Sequence, residues 1–308
     1  MTIQDLSLRK EIRELTPLHK EYPERLRNIP NHPSTLYVRG QLPPDNVPTV
    51  AIIGSREATP YGTEVAETFG RMLASKGIGI ISGMAAGADS AGQWGAIEGG
   101  GHTYAVLGCG LNICYPSRNY RLYDEILRHD GGLISEVPLD SPPLAKQFAS
   151  RNRIISALSD AVIVIEARER SGTFITVNAA LDQGKQVFAL PGRVNDPLSK
   201  GCLQLIKDGA EILTSPEDIL EFLHLKTSGE QLVMEKDTSM LTQAQKRILQ
   251  TLESEAIHLD VLTKKSGIPV QELSAMLLEL EILGFAECTK TGFYRRKAFG
   301  TMGENIVL

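Results

Sequence analysis

The sequence predicts an α/β protein with a mostly parallel, doubly wound sheet, followed by a small second domain. Apolar, β-branched runs that end in glycine alternate with segments of helical period over residues 45–225. The chain also has 28 glycines, which suit many tight strand-to-helix turns. Beyond these residues the pattern changes to short helical segments. The alternation implies right-handed crossovers between parallel strands, with helices on both faces of the sheet.

The elements of the large domain follow in chain order. Strand Thr49–Ser55 is followed by a helix over 61–76 that has Val65, Phe69 and Leu73 on one face. The later strands are predicted at Ile78–Gly83, Thr103–Gly108, Gly132–Glu136, Ala161–Ala167 and Gln186–Gly192. Residues 1–44 are interpreted as an N-terminal extension.

The C-terminal part begins after a linker at 226–240. Helices are predicted over 241–252, 259–266 and 270–283, and a hairpin over 285–297 turns at Thr291-Gly292. Three helices and a hairpin are typical of a winged-helix-like domain, predicted here at 241–297 before a tail at 298–308. A plain helical bundle would give similar periodicity.

Composition limits the classes of function. The hydrophobic fraction of 42% allows a full core, and the net charge of −5 argues against a uniformly basic surface but not against a local basic groove. No apolar run is long enough for a membrane span, and the charged N-terminus lacks a signal peptide. The four cysteines show no metal-binding spacing. We therefore expect a cytoplasmic protein with reduced thiols and no metal or cofactor.

Small and basic residues collect where the predicted strands end. In an open α/β sheet the ligand crevice lies outside the carboxyl ends of the strands. Several turns there lead into helix starts, whose free N–H groups favour an anion, and arginine suits phosphate oxygens. The candidate phosphate-binding residues are Gly54, Ser55, Arg56, Ser171, Gly172, Thr173, Gly192 and Arg193. The alternative is that these glycines serve chain reversal only.

A second basic element precedes a helix predicted over Ile154–Leu158. It contains Lys146, Arg151, Asn152 and Arg153, with Phe148 among them. An aromatic ring between cations can stack a base while the cations hold the nucleic-acid backbone. The alternatives are core packing for Phe148 and ion pairs with Glu136 or Glu166 for the arginines.

The sequence gives little support for catalysis. The histidines do not cluster near Ser171, and no nucleophile elbow, zinc-protease motif or P-loop occurs. The dinucleotide fingerprint is also incomplete, because "GSREAT" lacks the second and third glycines. We interpret the chain as a binding protein rather than an enzyme.

The motifs resemble those of the DNA-processing protein A (DprA/Smf) family. "AIIGSREATPYG", "SGMAAGADSAG", "YPSRNYRL", "FASRNRIISALSDAVIVIEARERSGTFIT" and "FALPG" occur in that family's order. The resemblance implies an extended Rossmann-like domain that binds single-stranded DNA, forms a homodimer and helps to load the RecA recombinase during natural transformation. It also fits a winged-helix domain at the C-terminus.

The resemblance assigns roles by position. The arginine of the family's G-S-R motif falls on Arg56, the lysine and aromatic before R-N-R fall on Lys146 and Phe148, and the R-N-R is Arg151 to Arg153. The S-G-x-x-x-T turn runs from Ser171 to Thr176, which implies a phosphate cradle at a helix start. The sequence departs from the family pattern at four positions: Ala86 replaces an arginine, Ala88 an isoleucine, Gln93 a histidine and Ser117 a basic residue, with Arg118 beside it as a further phosphate candidate. The resemblance also implies that residues 1–44 are a truncated form of the helical N-terminal region of longer members.

The alternative function is a nucleotide-binding protein or a phosphoribohydrolase-like enzyme with a similar sheet. The phosphoribohydrolases carry a P-G-G-x-G-T-x-x-E motif. Here Gly172-Thr173 is followed by Phe174, Ile175 and Thr176, so the glutamate that would assist glycosidic cleavage is missing.

Overall fold

The computed structural model describes residues 11–225, 241–252, 256–283 and 285–296. The chain forms two compact units, Met1–Thr227 and Ser228–Leu308, and each is described by itself. The predicted linker at 226–240 and the tail at 298–308 lie outside the described residues. Within the described ranges no helix has the length and apolarity needed to cross a bilayer.

A nine-stranded sheet forms the centre of the first unit, in the order β1-β2-β6-β5-β4-β3-β7-β8-β9. Strands β3 to β9 pair in parallel, whereas β2 pairs antiparallel with β6 and with β1. The chain steps outward from β3 to β6 and then returns to place β7 on the other side of β3. The strands are β1 Ile12–Leu15, β2 Leu36–Gly40, β3 Thr49–Ile53, β4 Gly79–Ser82, β5 Thr103–Val106, β6 Gly132–Ser135, β7 Ala161–Val164, β8 Gln186–Ala189 and β9 Glu211–Ile212.

Helices cover both faces of this sheet, which confirms the doubly wound prediction. Alternation along β3 divides the core: Ala51 and Ile53 pack with one layer, and Val50 and Ile52 pack with the other. The first layer includes residues of α1, α5, α6 and α7, and the second includes residues of α2, α3 and α8. The helices are α1 Glu24–Arg27, α2 Pro60–Ser75, α3 Ala88–Glu98, α4 Tyr120–Arg128, α5 Ala145–Ala157, α6 Thr173–Asp182, α7 Lys200–Lys207 and α8 Pro216–Phe222.

The N-terminal segment differs from the expected helical extension. Residues 12–15 and 36–40 are strands β1 and β2 of the main sheet, and only α1 between them is helical. The side chains of Leu36 and Val38 are completely buried in the core. The alternation of apolar residues in "LYVRG" is too short to stand out in the sequence, and the strand forms because β6 offers it an edge to pair with.

The second unit contains three helices and a three-stranded sheet in the order β10-β12-β11. Leu273, Leu277 and Leu280 are fully buried along one side of α11 and form the core with Ile248 and Phe285. The antiparallel pair β11–β12 turns at Gly292, which confirms the winged-helix prediction over a plain bundle. The elements are α9 Gln243–Thr251, β10 Ile257–His258, α10 Leu259–Ser266, α11 Val270–Ile282, β11 Ala286–Lys290 and β12 Phe293–Arg296.

Candidate functional site

The strand order places a crevice between β3 and β7. The chain connections diverge from this pair to the two sides of the sheet, which makes it the topological switch point. The turn after β3 carries Gly54 to Arg56, and the turn after β7 leads to the Ser171–Thr173 helix start. The two segments meet, because the Thr173 hydroxyl donates to the Gly54 carbonyl at 3.4 Å. The two strongest sequence candidates therefore lie at one place.

Glu166 has a structural role beneath this crevice. Its carboxylate is buried and accepts hydrogen bonds from the Thr59 N–H at 2.8 Å and the Thr59 hydroxyl at 2.6 Å. Thr59 in turn caps the start of α2 by accepting from the Gly62 N–H. The Glu166 carboxylate is thus hydrogen-bonded to the N-cap residue of α2.

The start of α6 has the features of an anion cradle. The helix begins at Thr173 and has no side-chain cap. The Phe174 and Ile175 N–H groups donate to the Ser171 and Gly172 carbonyls at 3.2 Å and 3.1 Å, so it is the dipole of the helix start, rather than a full set of free N–H groups, that favours an anion here. The Ser171 hydroxyl is buried beside it and has no hydrogen-bond partner among the described residues. A methyl group added at Gly172 would meet nothing within 4 Å, so the space in front of the helix start is open. These features agree with the phosphate-cradle interpretation of this turn.

Phe148 lies at the centre of an aromatic and cationic cluster. The guanidinium carbons of Arg56 and Arg151 lie 5.8 Å and 5.9 Å from the ring centroid. The Tyr115 ring is tilted against Phe148, with the centroids 5.3 Å apart. Gly108 allows this placement, since a Cβ there would be 2.5 Å from the Phe148 ring. The cluster joins residues from the turns after β3 and β5 to the first turns of α5.

Arg151 lies under this cluster rather than in solvent, so our prediction of an exposed phosphate contact needs correction. Its side chain is buried and donates to the Gly83 carbonyl at 3.1 Å. Burial lowers the pKa of Arg151 to about 10, against the opposing effect of Asp89. Burial likewise raises the pKa of Asp89, which accepts from the Gly83 N–H. The helix α5 begins at Ala145, earlier than predicted, and this turns Arg151 toward the sheet.

Arg153 forms an ion pair, which was the alternative to a nucleic-acid contact in the sequence analysis. Its guanidinium binds Glu136 at the end of β6, with Nη2 to Oε2 at 2.6 Å and Nη1 to Oε1 at 3.3 Å. Glu136 also accepts from the Ser150 hydroxyl. Because both terminal nitrogens of the Arg153 guanidinium are bonded to Glu136, we exclude Arg153 from the proposed phosphate contacts. Asn152 is half-buried between the two arginines on α5.

Three other candidate cations lie on the surface near the strand ends. Arg118 is exposed on a short 3₁₀ turn that Asn119 fixes by donating to the Met84 carbonyl at 2.8 Å. Arg118 and Arg56 line the same open depression, which continues between α2 and α3 and which we call the α2–α3 groove. Lys146 is exposed in the first turn of α5, and Arg193 is exposed after Gly192 in the turn beyond β8. The structure does not bring Gly192 or Arg193 into a described contact with the Phe148 cluster.

Two of the residues that depart from the family pattern, Gln93 and Ala86, lie away from the Phe148 ring. Gln93 is completely buried and donates to the Thr103 hydroxyl at 3.1 Å, so it links α3 to β5 inside the core. Ala86 is buried in the loop before α3 and lines the α2–α3 groove. Neither position reaches the Phe148 ring in any described contact. The missing arginine and histidine therefore leave the cluster around Phe148 intact.

Sequence reasoning missed two aromatic residues. Tyr115 was part of the quoted "YPSRNYRL" motif, yet its contact with Phe148 depends on the loop after β5 returning to α5. Trp94 lines the α2–α3 groove, and only its spacing of four residues from Ser90 could have placed both on one side of α3.

In the described ranges no group of three or more His, Cys, Asp or Glu residues could hold a metal ion. Burial raises the pKa values of Cys109 and Cys114 to about 11 and that of Cys202 to about 12, so these thiols stay protonated near neutral pH.

Comparisons with known proteins agree with this geometry. Residues 13–224 match the model of DNA recombination-mediator protein A, and residues 234–290 match the DprA winged helix domain. Protein Smf from Escherichia coli strain K12 is 39% identical over 299 residues, which cover 95% of this chain and 80% of that protein. The X-ray structure of DNA processing protein A from Streptococcus pneumoniae has a TM-score of 0.65 at 39% identity, covering 68% of this chain and 74% of that one.

A second solved structure concerns the single-stranded DNA binding mode of DNA processing protein A from Helicobacter pylori. It has a TM-score of 0.63 at 31% identity and covers 70% of this chain and 97% of that one. The two family matches fall one in each unit. The chain belongs to the DNA recombination-mediator protein A family, also known as DprA/Smf.

Proposed function

We propose that this protein binds single-stranded DNA along the carboxyl edge of its large sheet and acts as a DNA-processing protein rather than an enzyme. One observation carries the proposal: Arg56, exposed at the switch point, lies over the Phe148 ring and has no ion pair among the described residues. An unpaired guanidinium beside an aromatic platform suits a phosphate and its neighbouring base. Membership of the family supports the same ligand.

The affinity would come mainly from phosphate contacts. The dipole of the α6 start and the side chains of Arg56, Arg118 and Lys146 offer positive charge to a phosphate backbone, and such contacts carry no sequence information. The exposed Tyr115 ring, packed against Phe148, offers a face to an unstacked base, whereas a duplex keeps its bases paired. Single strands should therefore bind more tightly than duplexes of the same length.

The cellular part of the proposal follows from the family. The protein would act as a cytoplasmic homodimer that protects incoming single strands and helps to load the RecA recombinase in natural transformation and recombination. Retention of purified RecA by the immobilised full chain tests the partner, and sedimentation of the free chain tests the dimer. No observation favours the phosphoribohydrolase-like alternative, since Thr176 is buried and Glu166 is bonded to Thr59.

The direct test is a fluorescence anisotropy titration of the full chain with oligo-dT and with a duplex of equal length at one salt concentration. We expect the single strand to bind at least about tenfold more tightly, a difference of roughly 1.4 kcal/mol. Both affinities should fall with added salt as counterions are released. Equal affinity for the duplex and the single strand would contradict the proposal.

A further inference from the structure

The α2–α3 groove is a second feature of this edge of the sheet. It encloses about 420 Å³, a volume within the range of small-molecule sites, and it is open to solvent. Its walls carry two arginines, two glutamates and one indole: Arg56, Arg118, Glu67, Glu98 and Trp94. Cations, carboxyl groups and an aromatic face in one groove are the chemistry expected for a ligand that has phosphate, donor groups and a flat ring.

Close packing of the two helices brings the carboxyl groups together. A Cβ at Gly95 of α3 would lie 1.9 Å from the Glu67 carbonyl oxygen, and one at Gly99 would lie 2.4 Å from that of Arg71. Backbone contact at these glycines places Glu67 beside Glu98, and their side chains share a hydrogen bond. Arg71 lies against Glu98, with Nη1 to Oε2 at 3.3 Å.

The shared hydrogen bond means that the two carboxyl groups are not equivalent. Burial, and next the negative charge of Glu98, raise the pKa of Glu67 to about 7. The two carboxyl groups are therefore favoured to share one proton near neutral pH, and Glu98 also has the Arg71 guanidinium beside it. The groove thus offers the Glu98 carboxylate as an acceptor, while the proton lies in the hydrogen bond between the two groups.

The cations and the carboxyl groups are separated along the groove. Arg56 adjoins Gly87 at the start of α3, where a Cβ on Gly87 would contact the Arg56 carbonyl, whereas Glu98 is the last residue of that helix. At about 1.5 Å per residue, Glu98 lies roughly 12 Å along the axis from Ser90 and roughly 6 Å from Trp94. Neither Arg56 nor Arg118 forms an ion pair with these glutamates in the described part of the chain. A ligand can therefore contact cations and carboxyl groups at once.

We propose that the α2–α3 groove is a nucleobase pocket for a guanine of the bound single strand. Its phosphate would contact Arg56 and Arg118, and its Watson–Crick edge would contact the Glu98 carboxylate, which Glu67 holds in place. The proposal rests on the proposed single-strand binding. Guanine presents adjacent N1–H and N2–H donors. The two oxygens of the Glu98 carboxylate can accept both while they also accept from Glu67 and Arg71, since a carboxylate has about four lone-pair sites. Thymine presents one N–H between two carbonyls. Adenine and cytosine place a ring-nitrogen acceptor beside one amine, which repels a carboxylate.

Trp94 would contribute to this pocket without distinguishing the bases. Its half-buried indole lines the groove one helical turn before Glu98, where a base that reaches the carboxyl groups would lie against it. Sequence preference would thus come from the carboxyl pair alone, and general affinity from the crevice around Phe148.

The experiment compares three single strands of equal length with the full chain: oligo-dT, oligo-dT with interspersed single guanines, and the same strand with inosine in place of guanine. A well-formed bidentate contact discriminates by about tenfold or more, so the guanine strand should bind about tenfold more tightly than oligo-dT. Inosine lacks the N2 amine and should lose most of this preference. This comparison needs no protein variant and is independent of folding.

The protein variants assign the preference to the groove. Glu67→Gln combined with Glu98→Gln should bring the guanine-to-thymine ratio close to one, while oligo-dT affinity stays within about threefold. Glu217→Gln on α8 is the matched control, because Glu217 is exposed and outside the groove, and it should keep the ratio. A wild-type ratio of one with oligo-dT still bound, or a preference that survives the double substitution, would overturn the pocket. Failure of all three strands to bind would instead overturn the single-strand proposal.

Discussion

Arg56 is the side chain on which the proposed interface depends most, and Arg56→Ala is the sharpest test of it. Arg56 is exposed, and its only described side-chain contact is with the Phe148 ring at 5.8 Å. An exposed cation–π contact contributes about 0.5–1 kcal/mol. The free energy of unfolding should therefore fall by no more than about 1 kcal/mol, and the variant should fold.

The effect on binding should be larger than the effect on folding. A hydrogen bond to a charged group contributes about 1.5–3 kcal/mol, so loss of the Arg56–phosphate contact should weaken oligo-dT binding at least roughly tenfold at low salt. For single strands the slope of log K against log salt is about −0.7 per phosphate neutralised. The slope should thus become shallower by about 0.7 in the variant.

Anisotropy titrations over a series of salt concentrations measure both quantities, and Arg153→Ala is the matched control. Its guanidinium is paired with Glu136, so its removal should lower stability by leaving that carboxylate without its partner, and the salt slope should not change. An Arg56→Ala variant with unchanged affinity and slope, or an Arg153→Ala variant with an equally shallow slope, would show that the strand lies elsewhere.

Three further predictions concern Gly108, Gly172 and the C-terminal unit. Gly108→Ala should lower the free energy of unfolding by about 1–3 kcal/mol and weaken oligo-dT binding, because the new methyl group would displace the Phe148 ring. Gly172→Ala should fold normally and weaken only the binding, because its methyl group projects into the open space before α6. Thermal unfolding with anisotropy separates these effects, and normal binding by Gly172→Ala would remove α6 from the interface. Deletion of the residues after Met240 should leave the oligo-dT affinity within about threefold of the full chain's, a difference of roughly 0.65 kcal/mol. A hundredfold loss of affinity, in a truncated protein that is folded and of unchanged oligomeric state, would place the DNA on the second unit.

The large sheet could be predicted because its signals are local and repeated. Each central strand is a continuous apolar run that ends in a turn, and burial on both faces leaves few ways to place such a run. The turns at Gly54 and Ser171 followed from the same rule, since parallel strands bring their carboxyl ends to one edge. Strands β1 and β2 were missed because they are antiparallel additions, held by an edge that the local sequence does not show.

The errors within the site have a different origin. Lys146, Arg151 and Arg153 look alike in sequence, but α5 turns by about 100° per residue and sends them to different surroundings. Arg151 enters the interior toward Asp89, and Arg153 reaches Glu136. The pairing of Glu67 with Glu98 is also invisible in sequence, because it depends on the contact of two helices at their glycines. Residue type predicted a basic crevice, and only packing shows which cations remain available.

The second unit is better suited to a protein partner than to a phosphate backbone. In a winged helix that reads DNA, the third helix presents basic or amide side chains to the groove. Helix α11 has neither lysine nor arginine, and two of its glutamates are engaged within the unit: Glu279 accepts from Gln245, and Glu281 accepts from the Cys288 N–H. Its exposed positions include Leu278 and Ile282, with 57% and 76% of their surface accessible. Exposed aliphatic side chains on an acidic helix favour burial against protein and repel phosphate, so the affinity for DNA should reside in the first unit.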